Sequence, residues 1–188
     1  YSVEGKGRRL ISGSENTTGV GDVSIQAKTN ILSQGGVRPA VTTRLCIKLP
    51  TGNDDNAFGS GRYDWGVGVL LEKEVKRLNL YLNADVIFPT DPYENVDLSV
   101  RPFYALMFGV EYMFSSRLSM ASQLYFQSRP FRHTGLDILD RRIFEVLIGV
   151  NYQTDGRLFF QFGGVEDILD SLDATADVTL FANVGVRF

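Results

Sequence analysis

Nine stretches of this chain alternate apolar and polar residues one by one, and most of them run for 9 to 13 residues. They cover residues 22–31, 41–49, 63–72, 78–86, 103–112, 118–126, 143–152, 158–162 and 176–188. In the second, Val41, Thr43, Leu45, Ile47 and Leu49 oppose Thr42, Arg44, Cys46 and Lys48. Only an extended strand sends neighbours to opposite faces in this way. Ordinary globular strands average about 5–6 residues, whereas a tilted strand needs about 9–11 to cross a bilayer. A chain of 188 residues built from such segments is expected to be one all-β domain over 1–188.

The connections alternate in length. Short turns are expected at 33–36, 75–77, 115–117 and 153–156, and long connections at 50–62, 89–102, 129–141 and 163–175. Short periplasmic turns and long extracellular loops are the habit of outer-membrane barrels. The fold expected is therefore an antiparallel transmembrane β-barrel of ten or twelve strands. Single-chain bacterial barrels have even strand numbers. Ten strands result if residues 1–8 add a strand before 19–32, and twelve or more if further N-terminal strands lie outside this sequence.

Composition narrows the function classes. Lys and Arg number 19 against 22 Asp and Glu, a net charge of −3, which offers no basic excess to nucleic-acid phosphates. One Cys and one His exclude a disulfide framework, a Cys-rich zinc site and a multi-histidine metal centre. No apolar run reaches the roughly 18 residues of a membrane-spanning helix. No cofactor, no metal and no enzymatic activity is expected.

In a barrel the apolar face meets lipid and the polar face meets the lumen. The lumen would carry Lys28, Arg44, Lys48, Glu72, Asp85, Glu111, Glu145 and Arg187. Aromatic residues on the apolar face lie towards strand ends: Tyr63, Trp65, Phe88, Tyr104, Tyr112, Phe114, Phe144, Tyr152 and Phe188. Amphipathic rings at both interfaces would form an aromatic girdle; cross-strand aromatic packing in a core is the plainer reading. Phe103, Met107, Phe159 and Phe181 share the polar face and make it amphipathic.

Three loop constellations carry weaker signals. Asn53, Asp54, Asp55 and Asn56 offer oxygen ligands for calcium without an EF-hand spacing. Glu166, Asp167, Asp170, Asp173 and Asp177 make an acidic outer segment that could bridge divalent cations to lipopolysaccharide, or be a solvated charge run. His133 lies among Arg129, Arg132, Asp137, Asp140, Arg141 and Arg142, but no nucleophile signature accompanies it. The Arg residues match phosphate groups of lipid A as readily.

Several stretches resemble an uncharacterised family of Gram-negative outer-membrane barrels known only as a domain of unknown function. They are Glu15-Asn16-Thr17-Thr18-Gly19-Val20-Gly21-Asp22-Val23, Lys48-Leu49-Pro50-Thr51-Gly52 and Gly164-Val165-Glu166-Asp167-Ile168. The Gly-x-Gly-Asp and Leu-Pro-Thr-Gly pieces are also similar to porin-like barrels of phenol-degradation pathways. The terminal Phe188 resembles the C-terminal signal by which outer-membrane barrels are recognised for assembly. The resemblance implies the bacterial outer membrane, with lipid and lipopolysaccharide as surroundings and a small, partly apolar solute as cargo. A porin-like channel is the function expected. The alternative is a plugged barrel with a structural role, exposing its loops to lipopolysaccharide or a protein partner.

Overall fold

The computed structural model describes residues 2–5, 8–12, 19–52, 59–91, 100–131, 140, 142–154, 156–167 and 178–186. Two short strands, β1 (Ser2–Gly5) and β2 (Arg8–Ser12), pair with each other in antiparallel fashion. Nine longer strands follow: β3 (Val23–Leu32), β4 (Ala40–Leu49), β5 (Asp64–Val75), β6 (Leu78–Phe88), β7 (Phe103–Met113), β8 (Leu118–Gln127), β9 (Ile143–Gln153), β10 (Leu158–Asp167) and β11 (Val178–Val186). They form one antiparallel sheet in strict sequence order, each strand pairing with the next. Helix is absent among the described residues.

Turn chemistry accounts for the order. β5 and β6 are joined by Lys76 and Arg77 alone, with Lys76 at φ 58°. So tight a link forces the two strands into immediate antiparallel pairing. Between β3 and β4, Gly35 and Arg38 exchange backbone hydrogen bonds of 3.1 and 2.9 Å around Gly36 at φ 54°. The left-handed conformation at Gly36 is one that a Cβ disfavours. All the short turns therefore lie at one end of the sheet, and the longer connections at the other.

The ring expected from the sequence is not what the described residues form. The sheet is open, with β3 and β11 at its edges, and its strand number is nine rather than ten or twelve. The N-terminal residues pair locally in strands of four and five residues, instead of extending an edge ten residues long. Strand parity gives a second reason. β3 and β11 are eight pairings apart and run parallel, so they cannot close on each other as an antiparallel pair.

Burial runs opposite to that of a soluble sheet. The described residues classed as buried are Gly66, Gly68, Ala105, Gly109, Ser119 and Gly149, and all lie on the polar face. The apolar face is exposed along its length, with Val67 at 42%, Leu106 at 43% and Phe108 at 47%. The sheet curls around its polar side, and among the described residues no second layer covers the apolar one.

Candidate functional site

Three groups of side chains on the polar face are joined by ion pairs and hydrogen bonds. The first spans β4, β5 and β6. Register places Arg44 opposite Gly68, and Gly68 opposite Asp85. Arg44 Nε donates to Asp85 Oδ1 at 3.1 Å and Nη2 pairs with Oδ2, so a bidentate ion pair crosses over the intervening strand. Gly68 leaves the gap through which it passes. A Cβ there would overlap Asp85 Oδ1 and lie 2.8 Å from its Cγ.

The second group sits at the long-loop end. The Gly21-Asp22-Val23 and Leu49-Pro50-Thr51-Gly52 pieces interlock here. The Val23 amide donates to Thr51 Oγ1 at 2.8 Å, and the Thr51 hydroxyl donates to the Gly21 carbonyl at 3.3 Å. Asp22 accepts from the Gly52 amide at 3.0 Å and from the Ser60 amide at 3.1 Å. Lys48 lies between two carboxylates, Asp22 at 3.4 Å and Asp64, and donates to Ser60 Oγ at 2.6 Å. Asp64 also accepts from the Thr90 amide at 2.9 Å, which carries the tie on to the end of β6.

Asp22 precedes the first long strand, and its side chain is only 9% exposed. The Ser60 and Gly52 amides, with help from Lys48, hold its carboxyl below the ordinary carboxylate range. A folded-state value below the unfolded one contributes stability that is complete above about pH 3.9 and is lost as pH falls through the lowered value. Asp22→Asn is therefore expected to unfold more readily than the wild type near neutral pH, with a gap that narrows below about pH 4. Unfolding midpoints of both proteins across that range test this; a gap that does not change with pH would contradict it.

The third group centres on Glu111 of β7. Its Oε2 accepts from Tyr81 Oη at 2.9 Å and from Asn79 Nδ2 at 3.4 Å. Its Oε1 accepts from Ser119 Oγ and from Asn151 Nδ2 at 3.1 Å. Gln161 Nε2 donates to Asn151 Oδ1 at 3.1 Å, so the chain of bonds runs from β6 to β10. Two adjoining hollows of about 430 and 520 Å³ border this network. The first is lined by Met107, Leu147 and Phe181 together with Tyr81, Gln123 and Asn183. Such a surface offers both apolar contact and neutral hydrogen-bonding groups.

Among the polar-face candidates, Arg44 with Asp85, Lys48 and Glu111 are thus joined to partners. Lys28 faces Arg44 in register, Glu72 faces Tyr81, and Glu145 faces both Tyr125 and Asp167. Sequence reading did not assign roles to Tyr81, Ser119, Ser60 and Asp64; same-face parity on the strands was the available signal for Tyr81, Ser119 and Asp64, and Ser60, in a connection, carried none. Asp22 stood out as the first polar residue of the segment 22–31 and as part of a turn motif.

The aromatic candidates lie in two bands on the apolar face. Tyr63, Trp65, Phe88, Tyr104 and Phe144 lie at the long-loop end, joined by Phe126, which the sequence did not single out. Trp65 stacks on Phe88 with ring centroids 4.0 Å apart, and Tyr104 meets Phe126 at 5.9 Å. Tyr112, Phe114 and Tyr152 lie at the short-turn end, where Tyr112 meets Phe114 edge-on at 5.0 Å. Arg187, Phe188, His133, Asn53 to Asn56, Asp170, Asp173 and Asp177 lie outside the described residues. Among the described residues no three metal-ligating side chains are grouped.

Comparison with curated proteins gives no match to this chain. A family described as "Protein of unknown function (DUF3187)" matches residues 1–188, the whole sequence, and the protein belongs to that family.

Proposed function

We propose that this protein is a bacterial outer-membrane β-barrel channel for small, partly apolar solutes. The observation that carries the reading is how the strands sort their charges. Twelve charged residues lie on β3 to β11, and ten of them are on the polar face. The two on the apolar face, Lys73 and Glu166, stand near strand ends. Water gives no reason to clear charge from an exposed surface. Lipid does, at about 2–4 kcal/mol for each Lys or Arg at the midplane.

Dimensions support the same reading. The strands of the sheet have 9 to 12 residues. The aromatic bands are eight residues apart along β7, from Tyr104 to Tyr112. That is about 27 Å along the strand, or roughly 20 Å of height at the tilt usual in barrels. Among the described residues no helix is long and apolar enough to cross a membrane. The edges β3 and β11 would leave backbone groups unpaired in lipid, so the functional barrel requires closure by an odd number of additional antiparallel strands. Lipid and lipopolysaccharide would surround the apolar face, and the mixed lining of the hollows suits a solute with apolar and polar parts.

The full-length protein folded in detergent is expected to run as a fast band that slows on boiling, and to give discrete conductance steps in planar bilayers. Migration unaffected by boiling, with a monodisperse protein in the absence of detergent, would overturn the membrane reading. A heat-modifiable band without conductance would instead leave a plugged barrel with a structural or interaction role.

A further inference from the structure

The charges of the polar face are unequal in number and in pairing. Its strands carry three cations, Lys28, Arg44 and Lys48, against seven carboxylates, a net charge of −4. Two of the three cations are compensated. Arg44 is spanned by Asp85, and Lys48 lies between Asp22 and Asp64. Glu145 differs from these. It stands on β9 near the long-loop end, between Tyr125 of β8 and Asp167 of β10 on the same face, with no cation opposite it in register. Among the described residues it has no ion pair.

Resting on the channel reading above, we infer that the pore is cation-selective, with Glu145 a determinant of that selectivity. An uncompensated carboxylate on a low-dielectric wall focuses field into the aqueous path, raising the local concentration of cations and lowering that of anions. Lys28 and Arg44 do not reverse this: Arg44 is already neutralised by Asp85, and Lys28 is a single cation against Glu72, Glu74, Glu111 and Glu145, none of which is in an ion pair among the described residues.

The test is the reversal potential of the full-length protein in planar bilayers under a KCl gradient. A wall potential of about one kT, the low end for protein clefts, corresponds to a K⁺ over Cl⁻ permeability ratio of about 7. Glu145→Gln, removing one of four net charges, lowers the ratio to about 4–5, and Glu145→Lys to about 3. Glu166→Gln, at the same end but on the apolar face, leaves it unchanged. The wild-type ratio also declines towards unity between about 0.1 and 1 M salt, as the screening length shrinks from about 10 to 3 Å. Heat-modifiable migration of each variant establishes that it has folded. An anion-selective or unselective wild-type pore, or a Glu145→Gln ratio equal to the wild type's, would overturn the inference while leaving a channel. Absence of any conductance would overturn the channel reading and the inference with it.

Discussion

Gly68→Ala is expected to destabilise the sheet by about 1–3 kcal/mol, the usual cost of forcing an extra group into filled space. The new methyl cannot coexist with the Asp85 carboxylate where it stands, and the Ala84 carbonyl lies 3.2 Å away on the same side. The carboxylate must therefore swing off and give up both contacts to Arg44. Ordinary strand preference argues the other way, since glycine weakens a strand interior. A loss of stability would thus mean that the ion pair outweighs that preference. A double-mutant cycle separates the two causes. Once Asp85→Ala has emptied the space, Gly68→Ala should cost little more, giving a non-additivity of about 0.5–3 kcal/mol between the two sites. Urea midpoints in detergent or lipid would measure it. Additive effects would show that Gly68 does not serve the Arg44–Asp85 pair.

That pair marks where sequence reading stops. The nine alternating segments correspond to the nine strands of the sheet, and each short turn falls within a few residues of the position expected for it, whereas residues 163–167, expected in a long connection, complete β10. Period two reveals which face a residue occupies, because neighbours must point opposite ways. It does not reveal register. Nothing local tells Arg44 that its partner is Asp85, forty-one positions away, or that Gly68 lies beneath them. Those matches depend on the lengths of the connections between β4, β5 and β6, summed over the two pairings. Lys48 shows the same limit. Its face was legible, but its partners come from the segment before β3 and the far end of a long connection. Closure was the least legible feature. A strand count needs every strand, and β1 and β2 pair with each other rather than with an edge of the sheet.

Phe108→Arg and Phe114→Arg should behave very differently if the apolar face meets lipid. In the folded chain the two phenylalanines are nearly equally exposed, at 47% and 51%. Against water, both substitutions would fall within about 0.5 kcal/mol of neutral, as exposed positions usually do. Against lipid, depth decides. Phe108 lies midway between the two aromatic bands, whereas Phe114 lies just beyond the end of β7 among the short turns. Arg at the midplane costs about 2–4 kcal/mol, and near the interface about 0–1. Folding free energies in bilayers should therefore separate the two variants by about 2–3 kcal/mol. A flat result would place the apolar face in water or against a partner indifferent to depth. A graded series, repeated at Leu106 and Tyr112 on the same strand, would locate the midplane. It would also test whether the roughly 20 Å between the aromatic bands is the height of the hydrocarbon contact.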